Sequence, residues 1–170
     1  MAIRNIRVDG DDVLRKKARE VDELNERIML LIKDMSETMY DASGIGLAAP
    51  QVGVLKRIIV VDPGDGLMEL INPVIIESSG EQFEIEGCLS IPGIFAEVRR
   101  PLKLKLQALR ATGENVLIDC EDNLARVVSH EVDHLDGILF KDKAIRYVDS
   151  KEMDRINKKK RAEARRSKDK

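Results

Sequence analysis

The sequence predicts an α+β fold, on three observations. Strand-like runs cluster in the middle of the chain. Helix-like periodicity stands on either side of them. Strands and helices rarely alternate in the way βαβ units require. The expected architecture is antiparallel or mixed sheets around a central helix, with an N-terminal helix and a C-terminal helix.

Each element has its own signal. Over residues 23–41, Leu24, Ile28, Leu31, Met35 and Met39 recur at spacings of three and four, which predicts a helix, with Asp22 as its N-cap. Ser43-Gly44-Ile45-Gly46 breaks it. Arg57 to Asp62 is a β-branched run closed by Pro63-Gly64, a buried strand. Leu67 to Asn72 and Val74 to Glu77 read as two further strands, interrupted at Pro73. Leu102 to Leu109 alternates with period two, a strand with one wet face. Thr112-Gly113-Glu114-Asn115 is a turn, and Val116 to Cys120 returns as the hairpin partner. A helix follows over about 122–136, with Leu124, Val127, Val128 and Leu135 as its apolar positions and Gly137 as its C-terminal stop. That many apolar positions make it central. From about 149, Asp149 and Glu152 are spaced as a capping box. The helix they begin is poor in apolar residues and is expected to leave the body of the protein.

At 170 residues the chain suits one domain, and 43% hydrophobic with 35% charged residues is a globular balance. With no Trp, two Tyr and three Phe, the core must be aliphatic. No run approaches the length of a membrane span, so no membrane partner is expected. Met1 to Arg7 lacks the apolar stretch of a signal peptide. The cytoplasm is therefore the expected compartment, a processed organelle form being the other. In a reducing compartment Cys88 and Cys120 read as free thiols or a metal ligand. Net charge is −2, but Lys158 to Lys170 holds eight basic and two acidic residues, +6, so the other 157 residues carry −8. Such an end is either a solvated terminus or a contact for a polyanion.

The chemistry concentrates in His130-Glu131-Val132-Asp133-His134, which holds the only two histidines. On a helix, positions i and i+4 share a face, so both imidazoles can bind one metal ion with Glu131 beside it as proton carrier. This is the signature of metal-assisted hydrolysis. A catalytic site of this kind takes a third protein ligand. Position 140, where one protease class carries a third histidine, is Phe140. Glu152 is one candidate, as in a zincin-like endopeptidase. Cys88, in Glu86-Gly87-Cys88-Leu89-Ser90-Ile91-Pro92-Gly93, is another, because a thiolate binds Fe²⁺, Co²⁺, Ni²⁺ or Zn²⁺. A module with a purely structural metal and an RNA-binding tail is a third class, in which Glu131 would have no role. Gly44 to Gly53 is neither a Walker loop nor G-x-G-x-x-G, since position 49 is alanine. Its small residues suit close approach of a substrate backbone, with Gln51 as an amide donor.

Taken together, Gly44-Ile45-Gly46-Leu47-Ala48-Ala49-Pro50-Gln51, Glu86-Gly87-Cys88-Leu89-Ser90 and His130-Glu131-Val132-Asp133-His134-Leu135 resemble the peptide deformylases. The resemblance spans residues 1–150 as a catalytic domain, with 151–170 a basic helical tail of the same domain. It departs at Ser129, where Gln is common, and at Ile85, where a polar residue is common.

The resemblance implies that Cys88, His130 and His134 hold one divalent ion, natively Fe²⁺, with Zn²⁺, Ni²⁺ or Co²⁺ in preparations. It implies Glu131 as general acid and base, and Gln51 with the Leu89 backbone N–H as oxyanion donors. Ile45, Val127 and the His130 ring would line the methionine slot. Gly44, Gly46 and Gly87 would hydrogen-bond the peptide backbone. The implied reaction removes the N-formyl group from N-formylmethionyl peptides and releases formate. The basic tail is expected to dock on the ribosome.

Overall fold

The computed structural model describes residues 2–168. The strands are β1 (Gly46–Ala48), β2 (Ile58–Val61), β3 (Met68–Ser79), β4 (Gln82–Cys88), β5 (Ile91–Arg100), β6 (Lys103–Arg110), β7 (Asn115–Glu121) and β8 (Ala144–Val148). The helices are α1 (Glu26–Asp41), α2 (Asp122–Leu135) and α3 (Ser150–Lys168). The strands form a five-stranded sheet in the order β1-β2-β3-β6-β7 and a three-stranded sheet in the order β4-β5-β8. Every strand pairing in both is antiparallel. The fold is α+β, as the segregation of strands from helices implies.

The larger sheet is covered on both faces. Leu31, Ile32, Met35 and Met39 of α1 share one buried cluster with Ile58, Val60 and Ile71. Ala125, Val128, Val132 and Leu135 of α2 share another with Ile59, Val61, Leu70 and Leu106. This explains why β2 is apolar at every position: alternate side chains point at different helices, and all four are buried. A third cluster, of Leu14, Ile91, Ala96, Val98, Leu139 and Phe140, backs the smaller sheet. The helix carrying the two histidines therefore lies deep in the molecule.

Several elements differ from expectation. Helix α1 starts at Glu26, not residue 23, because Asn25 and not Asp22 caps it; the Asn25 side chain accepts from the Ile28 N–H at 3.1 Å. Pro73 does not divide two strands. β3 runs through it with a register shift between Ile71 and Val74, so the proline falls where the ladder is already irregular. Asn72 makes that kink with φ of +50° and exchanges two hydrogen bonds with the Val21 backbone, at 2.8 and 2.9 Å. The strands of the smaller sheet carry no clear signal in the sequence. β5 opens with Ile91-Pro92-Gly93 and β8 carries a charge mid-strand, so neither shows a clean alternation.

The end of α2 is as expected. Gly137 follows the Asp136 cap with φ of +73°, and a Cβ there would stand 2.5 Å from the Arg15 carbonyl oxygen. Only glycine fits. Helix α3 leaves the body less completely than its composition suggests. Asp149 accepts from the Glu152 N–H at 2.8 Å, half of a capping box. The Glu152 carboxylate turns away instead to bind Arg146 through two contacts of 3.1 and 3.0 Å, and Arg146 also reaches Glu97. Glu152, Met153 and Ile156 are half-buried as a result. Asp169 and Lys170 of the basic tail, and Met1, lie outside the described residues.

Candidate metal centre

Two elements converge to make the site. β4 ends at Cys88 and turns back through Leu89-Ser90 into Ile91, its cross-strand partner. Helix α2 brings His130 and His134 to the same point. One ligand atom from each of Cys88, His130 and His134 lies within 4.8 Å of the others. The Cys88 sulfur is 3.3 Å from His134 Nε2. Both imidazoles are buried, and their ring centroids are 5.0 Å apart. Phe140 occupies the place of a third histidine and stacks on His130 at 6.1 Å. Glu152, the other candidate ligand, is committed to Arg146.

A carboxylate behind His130 orients its ring. Glu86, two residues before Cys88, lies 2.8 Å from His130 Nδ1. Arg100 clamps the same carboxylate through Nε and Nη2, both at 2.9 Å, and reaches Asp133 of α2 at 2.5 Å. Burial alone would keep Glu86 protonated, but hydrogen bonds from Arg100 and His130 hold its pKa down at about 2. An ionised Glu86 can only accept, so Nδ1 of His130 donates to it, and Nε2, facing Cys88, is the atom at which a cation would replace a proton. Burial opposes charge on His130, yet Cys88, Glu86 and Glu131 push its pKa up to about 10 when no cation is present. Burial, helped by His130 and Arg100, pushes His134 well below its ordinary value, so it stays neutral. One soft sulfur and two imidazole nitrogens, with a carboxylate behind one of them, fit a divalent transition ion.

The remaining groups face a cavity of about 640 Å³. Gln51, Leu89, Glu131, Gly44, Ile45, Gly46, Gly87 and Val127 line it together with Cys88 and His130; His134 does not reach its surface. Gln51 is held rigidly. Its Oε1 accepts from the Ala48 N–H at 2.8 Å, and its Nε2 points to Ser90 Oγ at 3.1 Å and Cys88 Sγ at 3.6 Å. Glu131 is 4% exposed, and its Oε2 has no hydrogen-bond partner among the described residues. Burial is the main cause that raises its pKa, to about 7. Gly46 lies against this carboxylate: a Cβ there would collide with Oε1 and stand 2.9 Å from the carboxyl carbon. Cys120 takes no part. It is buried in β7, and burial raises its thiol to about 11.

Sequence reasoning did not assign roles to Glu86, Arg100 or Ser90. Glu86 had a signal, because a ligating histidine nearly always donates its second N–H to a carboxylate. Arg100 had none. It meets Glu86 only because β4 and β5 pair with Glu86 opposite Ala96, which brings residues 14 apart to one face.

The chain is similar to known proteins over most of its length. Residues 3–150 match the family model described as polypeptide deformylase. A peptide deformylase of Acetivibrio thermocellus is 58% identical over 161 residues, 95% of each chain. One of Thermoanaerobacter pseudethanolicus is 53% identical over 156 residues, covering 92% of this chain and 98% of its own. Among solved structures, a peptide deformylase from Thermotoga maritima superposes with a TM-score of 0.84 at 43% identity, over 86% of this chain and 100% of that one. A peptide deformylase from Synechococcus elongatus, solved in complex with actinonin, gives 0.81 at 37% identity, over 86% and 87%.

Proposed function

The chain belongs to the polypeptide deformylase family, and on that premise we propose how its own residues carry the reaction. The activity is metal-dependent hydrolysis of the N-formyl group from the N-terminal methionine of newly made polypeptides, with release of formate. The observation that carries the assignment of roles is the meeting of Cys88, His130 and His134 at one point, where Cys88, His130 and Glu131 open onto one cavity.

Cys88, His130 and His134 would hold the ion, with Glu86 and Arg100 fixing the His130 ring. When bound, the ion supplies Lewis acidity and makes a water molecule acidic enough to be a nucleophile near neutral pH. Glu131 holds the proton taken from that water and delivers it to the leaving amine. The Gln51 amide, oriented by Ala48 and Ser90, donates to the formyl oxygen as negative charge develops there, with the Leu89 N–H as second donor. Ile45, Val127 and the His130 ring receive the methionine side chain. Gly44, Gly46 and Gly87 offer backbone groups to the peptide, which lies alongside as an added strand. We assign Fe²⁺ as the native ion, since one thiolate and two imidazoles accept it, and Zn²⁺, Ni²⁺ or Co²⁺ as replacements. Residues 1–150 form the catalytic domain and 151–170 its helical tail, which docks on ribosomal RNA through its basic residues. No helix among the described residues is long and apolar enough to cross a membrane. A substrate made at the ribosome supports a cytoplasmic location, with a processed organelle form as the alternative.

Formate release from formyl-Met-Ala, with metal analysis of the same anaerobic sample, tests this reading. Cys88→Ser should lose metal and activity together. Glu131→Gln should keep its metal and lose about 10²–10⁴ in kcat. A metal-replete Glu131→Gln enzyme working at the wild-type rate would remove the proton-carrier assignment.

A further inference from the structure

The cavity lining holds polar groups beyond the reacting ones. Cys88, His130 and Glu131 mark the reacting part. Arg126 and Asn157 also line the cavity, and no step above uses either. Arg126 stands one turn before His130 on α2, so it lies on the same face of the helix. Its Nη2 bonds a neutral acceptor, Asn123 Oδ1, at 2.6 Å. Among the described residues no carboxylate pairs with it. Asn157 comes from α3. The Arg146 contacts with Glu152 and Glu97 pin the start of that helix to β5 and β8. Asn157 follows Glu152 by five residues, about 7.5 Å along the helix axis, and so is carried over the cavity. Lys160 and Arg161 lie three and four positions further on, on the same side of α3. Asp154 is the acidic residue on that side, so this face of α3 carries a net positive charge.

We propose that Arg126 and Asn157 read the peptide downstream of the formyl-methionine and favour an acidic side chain there. The carboxylate accepts from the Arg126 guanidinium, with the Asn157 amide donating beside it. The proposal rests on the deformylase reading, because the formyl end must lie at Cys88 and His130 for the following residues to run outward. Arg126 acts on specificity and touches none of the reacting atoms. Because it is half-exposed, the preference is modest: an exposed ion pair corresponds to about a two- to fivefold effect, weakened by salt.

The test uses C-terminally amidated formyl-Met peptides with Asp, Asn or Lys scanned through the second, third and fourth positions. The metal-loaded full-length enzyme should favour Asp over Asn at one of these positions by about two- to fivefold in kcat/KM. The difference should sit in KM and shrink at high salt. Arg126→Gln should abolish that ratio and Arg126→Lys should restore part of it. Asn157→Ala should reduce it, and so should Lys160→Gln with Arg161→Gln, an exposed pair that leaves the core untouched. Equal rates for Asp and Asn at all three positions, a preference for Lys, or a ratio unchanged in both Arg126→Gln and the α3 double variant would overturn the proposal. Failure of the deformylase reading looks different: the metal-loaded wild type would release no formate from any of the peptides.

Discussion

At position 46 the difference between a hydrogen and a methyl group decides whether Glu131 can stay where it is. The Gly46→Ala enzyme should fold, because the backbone there has no special dihedral, but its Cβ must displace the Glu131 carboxylate. A shift of the order of 1 Å in a reacting group costs roughly 10²-fold. Steady-state kinetics should therefore show a fall of that size in kcat, with metal content unchanged. Glu86 makes the complementary case, acting on a ligand and not on the base. Glu86→Gln leaves a neutral acceptor behind His130 and an Arg100 guanidinium whose one remaining carboxylate partner is Asp133. Loss of such a supporting carboxylate lowers metal affinity by about 10- to 100-fold, which competition against a chelator will read. Wild-type retention of metal in that variant would show that Arg100 and Asp133 suffice to hold the ring.

Among the elements, α1 is tied down by an acid-sensitive anchor. Asp34 is buried in it and accepts from the Ala2 N–H at 2.9 Å and from Arg4 Nε at 3.0 Å. Burial works against its ionisation, but these bonds and the Arg4 charge win and hold its pKa below the usual range. A depressed carboxylate stabilises the fold above its unfolded pKa of about 3.9 and loses that contribution as pH falls through the folded value. Asp34→Asn should cost about 1–2 kcal/mol at neutral pH. Its urea-derived stability should then fall less steeply than that of the wild type below pH of about 4. The same scale shows where legibility in the sequence ended. α2 and the β6–β7 hairpin were readable because each buries one face and so repeats with its own period. β4, β5 and β8 were not. β4 and β5 bury ionised side chains, Glu86 and Arg100, where the pattern would call for apolar ones, and β8 is short and mostly exposed. The start of α1 was misplaced by three residues because Asp22 and Asn25 are equally good caps on paper, and only the chain's approach from Val21 decides between them.

In the whole molecule, the three ligand residues do not belong to one packing unit. Cys88 closes a strand of the smaller sheet, while the histidines ride on a helix packed against the larger one. An ion held by all three would thus join the two sheets. Removing it by chelation should lower thermal stability as well as activity. At a free ion concentration 100-fold above Kd the linkage amounts to about 2.7 kcal/mol, or roughly 5–10 °C in Tm for a chain of this size. A melt unchanged by chelator, with metal loss verified, would show that packing alone holds the sheets together. The pentapeptide at residues 130–134 has no idle position. His130 leans on Glu86, Glu131 on the bare backbone of Gly46, Val132 on the core, Asp133 on Arg100 and Lys143, and His134 on Cys88. Each partner comes from outside the helix. For protein design, this makes the motif a poor candidate for transplantation. Copied onto a foreign helix it would bring two histidines and an acid, but none of the surroundings that set their protonation and aim. A working graft would have to carry the β4–β5 hairpin and the residue 46 loop along with it.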